Sequence, residues 1–406
     1  MDILDQWETE FIAFHQRFAD VFDRKEPRAQ AAKYLRGLMG AVGRRNTWQV
    51  AEAVGERIPD ATQRLLYRAH WKADDARDIL QQYVIEVVGE PEGVGVVDET
   101  GFLKKGRYSA GVKRQYSGTA GKVENCQIGT FLSYVTGKGH VFLDRRLYLP
   151  EEWAADAERR ARAKIPQEVV FQTKPEQAVD MLQHAWQQGV PMRWVAGDEV
   201  YGDAVKLRDV VAESGRWYVL AVSSTTPVWT ERPTVVEPPT QAGSRPRTRV
   251  RLAEDAPPTT IVTAVVASWP EQRWQRLTVA EGEKGQVIYD WACQQVVESS
   301  NQLPGREAWL IARRSVHKPQ EIAYYLSNAP AEMSLLRMAQ VASLRYTVEQ
   351  CIEEAKGETG LDEYEVRHWH SWYRHITLSM MAHTWLAAIR YQANQEKGGL
   401  SPSLPN

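Results

Sequence analysis

The sequence predicts a mixed α/β fold, a sheet flanked by helices, with a helical N-terminal segment and an inserted antiparallel β segment. Three observations predict it. Gly93-Val94-Gly95-Val96-Val97 is a Gly-bounded, β-branched run that ends in Asp98-Glu99-Thr100-Gly101, the pattern of a buried strand reaching the surface. Trp194-Val195-Ala196-Gly197-Asp198-Glu199 repeats that design later in the chain. Strand-like and helix-like stretches alternate between and after these two runs, as they do when helices cover a mixed sheet.

Bulk composition sets outer limits. The chain has 406 residues, 43% apolar and 25% charged, which is ordinary for a folded protein of two or three domains. A net charge of −2 argues against bulk electrostatics as the route to nucleic acid and leaves room for local basic patches. Cys126, Cys293 and Cys351 are widely spaced and form no CxxC or Cys/His pattern, which predicts a reducing compartment and no structural zinc. No apolar run approaches the roughly 18 residues of a membrane span. Met1-Asp2-Ile3-Leu4-Asp5 lacks a signal pattern, so a cytoplasmic location is expected. Fifteen Trp residues can serve as core or as stacking platforms.

Residues 1–90 read as helices. Phe11, Phe14, Phe18, Val21 and Phe22 recur at helical spacing, and Ala31 to Val42 is amphipathic. Thr47 to Val54 and Asp60 to Ala69 read as two short helices with Thr47 and Asp60 as N-caps. They suit either an ordinary helical hairpin or a helix–turn–helix offering Arg64 and Arg68 to DNA. The strand at 93–98 leads into a Gly-punctuated basic loop or hairpin with Lys104, Lys105, Arg107, Lys113, Arg114 and Lys122. Such a loop is either solvated surface or a grip on phosphates. Cys126 to Thr136 and His140 to Leu149 read as a hairpin, and Pro150-Glu151-Glu152 starts a helix. Helices follow at Lys174 to Gln188 and Asp203 to Glu213, with a buried strand at Trp217 to Val222.

From Ser223 the texture changes. Residues 223–260 are rich in Pro, Thr and Arg and read as loop. Ile261 to Val266 and Trp274 to Val279 read as strands of the inserted segment. Glu332 to Lys356 returns to helix, Tyr373 to Tyr391 reads as a core-packing helix, and 396–406 as a frayed tail.

Asp98 at a strand end suits a turn or cap as well as a rigidly held site carboxylate. Arg345, Glu349, Ile352 and Lys356 follow at intervals of four, three and four, so at about 100° per residue they share one helix stripe. That stripe is either a surface ion-pair ladder or a metal-binding Glu flanked by phosphate-binding cations. Glu353 and Glu354 are neighbouring carboxylates. His368, His370, His375 and His383 stand in no acid/His ligand pattern.

The order Asp98, Asp198, β insertion, Glu349 resembles a DDE transposase with the ribonuclease-H-like fold. Arg345-x3-Glu349-x6-Lys356 matches the third-motif signature of a large group of bacterial insertion-sequence transposases. Arg146-Leu147-Tyr148-Leu149-Pro150-Glu151-Glu152-Trp153, Gly197-Asp198-Glu199-Val200-Tyr201-Gly202 and Trp372-Tyr373-Arg374-His375-Ile376-Thr377-Leu378 are similar to the branch called insertion sequence family 701. The wider group has a Tyr three residues before the Arg; here Ala342 stands there.

The resemblance implies a helical DNA-binding domain over 1–90 and a catalytic domain over 91–222 and 331–395, with the inserted β subdomain at 223–330. It implies Asp98, Asp198 and Glu349 as catalytic ligands of two Mg²⁺ ions, with Mn²⁺ able to substitute and Asp98 bridging. It also implies hydrolysis at transposon ends and attack of the freed 3′-OH on target DNA. Arg345, Lys356, Lys104, Lys105, Arg107, Lys113 and Arg114 would hold DNA. The expected partners are double-stranded DNA, as inverted-repeat ends and target, and a second copy in a homodimer; the expected place is the bacterial nucleoid. Trp269, Trp274 and Trp291 are either core or able to stack on a flipped base. Two other readings remain: a nuclease of the same fold without strand transfer, and a domesticated transposon-derived DNA-binding regulator.

Overall fold

In the computed structural model, residues 3–40, 43–236, 250–282 and 285–396 are described. The tail expected at 396–406 lies, from 397 on, outside the described residues, as does 237–249 within the expected loop. The chain forms two compact units, Met1–Arg193 with Tyr346–Asn406, and Trp194–Arg345.

The first unit begins with helices α1 (Ile3–Gln16), α2 (Lys25–Met39), α3 (Thr47–Ala53), α4 (Asp60–Tyr67) and α5 (Ala73–Val88). Phe11, Phe14, Phe18, Val21 and Phe22 are all buried, as their helical spacing predicts. Two caps differ from expectation. Asn46, not Thr47, caps α3 by accepting from the amides of Trp48 and Gln49, both at 3.0 Å. Asp60 lies inside the first turn of α4, whose N-cap is Pro59. The sheet of this unit has β1 (Gly93–Leu103), β2 (Lys113–Ser117), β3 (Lys122–Thr136) and β4 (Gly139–Leu147). β3 is central and pairs antiparallel with the other three. β1 runs five residues past Asp98, and the basic stretch is then a loop carrying Lys104, Lys105 and Arg107 followed by the β2–β3 hairpin carrying Lys113, Arg114 and Lys122. Gly93 is required where β1 starts, because a Cβ there would run into the Tyr134 ring of β3.

Helices α6 (Glu151–Ala155), α7 (Ala157–Ala163) and α8 (Lys174–Gln187) follow. α8 opens with a complete capping box, Thr173 with Glu176.

In the second unit, β5 (Met192–Gly197) leads through α9 (Glu199–Gly202) and α10 (Val205–Glu213) to β6 (Trp217–Val222). β5 and β6 are parallel, with Trp194 opposite Trp217 and Gly197 opposite Leu220. Short strands β7 (Pro227–Trp229), β8 (Val235–Val236), β9 (Arg251–Leu252) and β10 (Thr260–Ile261) precede α11 (Val262–Ala267). The strand expected at Ile261 to Val266 is therefore a helix. Val262, Val265 and Val266 are its buried residues, and their three-and-one spacing is a helical face that β-branched composition disguises. The long strands β11 (Gln275–Gly282), β12 (Gly285–Ser300), β13 (Leu303–Arg314) and β14 (Ile322–Ser327) are antiparallel as expected. β14 also pairs with β6, so these strands extend the β5–β6 sheet instead of forming a separate one. Helix α12 (Leu335–Ser343) closes the unit. Trp291 is fully buried and Trp269 nearly so, donating to Gln294 Oε1 at 2.8 Å, which makes both core residues. Trp274 lies half-buried under the Arg314 guanidinium.

Two last helices, α13 (Arg345–Thr359) and α14 (Trp369–Glu396), carry the chain back into the first unit. The helix expected at Glu332 to Lys356 is thus two helices broken at Leu344. α14 is buried on nearly every side from Ser371 to Thr384, which identifies it as the core helix of this unit. It binds the N-terminal helices directly. The Arg374 guanidinium donates to the carbonyls of Leu66, Ala69 and Trp71, and His375 Nδ1 meets the buried Tyr34 hydroxyl at 2.9 Å. Helices α2 and α4 are therefore packed on α14 within this unit.

Candidate active site

Alternation along β1 settles where Asp98 points. Val96, Asp98, Thr100 and Phe102 share one face of the strand, and Glu99 lies on the other. Two helices cover the two faces. On the Glu99 face, Lys174 of α8 pairs with Glu99, and Gln177 of α8 accepts from Thr130, which stands opposite Glu99. On the Asp98 face lies α13. Lys356 Nζ donates to Thr100 Oγ1 at 2.8 Å and Thr119 Oγ1 at 3.0 Å. Cys351 lies 3.9 Å from the hydroxyl of Ser133, the residue opposite Val96.

Asp98 is half-buried, and its Oδ1 accepts the Glu99 amide at 2.7 Å. Glu349 lies on the exposed edge of α13, whose buried residues are Val348, Cys351, Ile352, Ala355 and Thr359. Glu353, four residues on, shares that side of the helix and is also exposed. Glu354 is engaged elsewhere: it accepts from His140 at 3.0 Å and pairs with Arg390 and His383. Hydrogen bonds from His140 and His383 hold its carboxyl far below the usual range. It is a structural carboxylate, and Glu349 and Glu353 are the two that remain on the edge of the Asp98 face.

In the second unit, Asp198 ends β5 and caps α9, its Oδ1 accepting the Val200 amide at 2.9 Å. The residues after it fix that turn. Tyr201 is fully buried, and a Cβ on Gly202 would collide with the Ala221 carbonyl of β6, so only Gly allows the approach. Arg208 donates to the Gly202 carbonyl and forms a buried ion pair with Glu298 of β12 at 2.9 Å. The Tyr218 hydroxyl donates to the same Glu298. The Gly-Asp-Glu-Val-Tyr-Gly stretch is thus a strand end with a rigid turn that orients Asp198.

Asp98, within β1, and Asp198, just past the end of β5, are both half-buried carboxylates with one oxygen anchored on the backbone. Each of them, like Glu349, offers hard oxygen donors, the ligand type that divalent ions such as Mg²⁺ prefer. Asp98 and Glu349 belong to the first unit and Asp198 to the second.

The expected DNA-holding cations divide. Lys105 and Arg107 are exposed on the loop before β2, and Arg114 is exposed on β2. Lys356 is half-buried, and burial lowers its pKa against the opposing charges of Asp362 and Glu353. Arg345 is half-buried at the first turn of α13. Lys113 is ion-paired with Glu152 at 2.6 Å. Lys104 turns inward: its Nζ sits 3.4 Å from the centroid of the Tyr364 ring and donates to the Tyr364 carbonyl. Burial pushes its pKa down to about 7. Lys104 thus packs on Tyr364, unlike Lys105, Arg107 and Arg114, which are exposed.

The sequence missed other cations. Arg107, Tyr108, Trp153, Arg159 and Arg162 line a recess of about 260 Å³. The Arg159 guanidinium lies 4.0 Å from the centroid of the Trp153 ring, and that of Arg162 lies 5.3 Å from that of Tyr108. Arginines over aromatic faces suit phosphate and base together. In the sequence, Pro150-Glu151-Glu152 predicts only the start of a helix, and nothing singles out Arg159 or Arg162 on α7. Among the histidines, His375 is held between Tyr34 and the Gly360 carbonyl, and His370 meets the Tyr67 carbonyl. No described helix is long and apolar enough to cross a membrane.

Comparison with known proteins gives the family. The model for "DDE superfamily endonuclease" matches residues 17–286, a span that includes Asp98 and Asp198. A probable transposase for insertion sequence element IS701 from Microchaete diplosiphon is 26% identical over 198 residues, 48% of this chain and 49% of the relative. The match thus spans about half the length of that curated relative. Among solved structures, a piggyBac transposase synaptic complex with hairpin DNA aligns at a TM-score of 0.37 and 11% identity, over 85% of this chain and 56% of that one. The NurA nuclease from Sulfolobus solfataricus aligns at 0.27 and 9%, over 70% and 86%. With the family model covering more than half of its length, the chain belongs to the DDE superfamily of endonucleases.

Proposed function

We propose that the chain is the transposase of an insertion sequence, cutting DNA at the element's ends and joining the freed 3′-OH to target DNA. The observation that carries this reading is the packing of α13, with Glu349 and Lys356, on the face of β1 that bears Asp98. Asp98, Asp198 and Glu349 would hold divalent ions, Mg²⁺ by preference with Mn²⁺ able to replace it, in a ribonuclease-H-like arrangement. Divalent ions bound there stabilise the charge that develops on the attacking and leaving oxygens. The protein's own task is to hold the scissile phosphate. Lys356, fixed by Thr100 and Thr119, places a cation beside the Asp98 face, and Arg345 begins the same helix. Lys105, Arg107 and Arg114, with Arg159 and Arg162, suit the flanking duplex. Two ends must be handled together, so a homodimer on paired ends is part of the reading.

Incubation with duplex carrying the ends that flank its own gene tests the activity. Metal-dependent incision leaving a 3′-OH at the end is expected; no incision with either Mg²⁺ or Mn²⁺ would contradict the reading. The basic recess has its own readout. Arg107→Ala, Arg159→Ala and Arg162→Ala together are expected to weaken binding to all duplexes alike. They should also reduce the slope of log K against log salt by about 0.9 for each phosphate that is no longer neutralised. An unchanged slope would remove the recess from the DNA path.

A further inference from the structure

One cluster of ligand-type side chains stands outside the proposed DNA-cutting site. His140 is the second residue of β4, Cys351 lies in the middle of α13, and His383 lies in the middle of α14. One donor atom from each lies within 4.8 Å of the others. Cys351 and His383 are buried and His140 half-buried. The two imidazole rings are stacked, with centroids 6.2 Å apart. Behind them stands Glu354, one turn on from Cys351, accepting from His140 Nε2 at 3.0 Å and lying 3.7 Å from His383 Nε2.

Two features are not explained by a plain ion-pair network. His383 Nδ1 is buried without a hydrogen-bond partner, a position that normally costs about 1–3 kcal/mol and that a bound ion would satisfy. The Cys351 sulfur is buried against the same group, with the Ser133 hydroxyl as its hydrogen-bond donor at 3.9 Å.

We propose that His140, Cys351 and His383 bind a zinc-class transition-metal ion, with Glu354 orienting both imidazoles. One sulfur and two nitrogens are the donors that zinc and its neighbours select, whereas Mg²⁺ selects oxygen. A carboxylate behind ligating histidines is the usual support for such an ion. The ion ties β4, α13 and α14 together, and Cys351 follows Glu349 by two residues. It therefore fixes the helix on which Glu349 stands. The sequence gives no hint of it, because the ligands come from three distant segments.

The assay is a Co²⁺ titration of the full chain after dialysis against chelator, followed by absorbance. A thiolate-to-cobalt charge-transfer band that saturates stoichiometrically is expected, bleached by Zn²⁺ and unaffected by millimolar Mg²⁺. Absence of that band in the folded wild-type chain overturns the proposal, whatever the variants do. Cys351→Ser is expected to abolish the band, and Asp98→Asn to leave it intact. A band kept in Cys351→Ser would come from another thiol, Cys126 or Cys293, and would equally overturn the proposal. Because the readout is spectroscopic, it stands or falls independently of DNA cleavage.

Discussion

Asp98→Asn is expected to abolish metal-dependent strand cleavage while leaving the protein folded. Asn keeps the Oδ1 that accepts the Glu99 amide, so the strand retains that local contact. What it loses is the charge and one hard donor. Loss of a partner that merely supports a metal ligand costs about 10–100-fold, and loss of the ligand itself must exceed that. Glu349→Gln is expected to match it. Glu353→Gln is the internal control, since Glu353 is exposed on the same side of α13. Cleavage measured under single turnover distinguishes them. If Glu353→Gln is inactive and Glu349→Gln active, the third carboxylate has been misassigned by one helical turn.

The largest effect on stability is expected at Asp144. This fully buried carboxylate on β4 is met by three guanidinium groups: Arg77 at 3.2 Å, Arg145 at 3.1 Å and Arg146 at 3.0 Å. Arg77 and Arg145 are themselves buried. Asp144→Asn keeps the shape and removes the buried charge that all three guanidinium groups contact. Breaking a buried ion pair by removing one partner costs about 3–5 kcal/mol. For a unit of this size that corresponds to a fall in Tm of roughly 6–20 °C. Acid should act in the same direction. Burial works to raise the Asp144 pKa, but Arg146, Arg77 and Arg145 outweigh it and hold the group far below the ordinary carboxylate range. With the folded value depressed, its contribution is complete above the unfolded Asp value of about 3.9 and is lost as pH falls below that. The gap in Tm between wild type and Asp144→Asn should therefore be constant near neutrality and narrow in acid. A gap that stays constant to the acid limit of folding would contradict the assignment.

Much of this was legible in the sequence, and the exceptions share a cause. Val-rich and Trp-rich runs ending in Asp98 and Asp198 gave their strands because β-branched content and Gly boundaries are local signals. The helical spacing of Phe11, Phe14 and Phe18 gave the N-terminal core in the same way. Val262, Val265 and Val266 misled because composition and spacing pointed to different elements and only packing decided between them. Lys104 looked like its basic neighbours, yet Tyr364, far along the chain, draws its ammonium inward. Glu354 and Glu349 differ by five residues of one helix. What separates them is His140 on a strand and His383 on another helix. The Arg208–Glu298 pair behind the Asp198 turn is equally distant in sequence. No window of sequence contains such partners.

The central claim is that the site joins DNA as well as cutting it. The direct measurement supplies a precut element end with a free 3′-OH and a plasmid target, and then recovers covalent end–plasmid products from the wild-type chain with a divalent ion. The account predicts joined products that require Asp98, Asp198 and Glu349. Efficient incision of uncut ends with no joined product would contradict it, and would identify a nuclease instead.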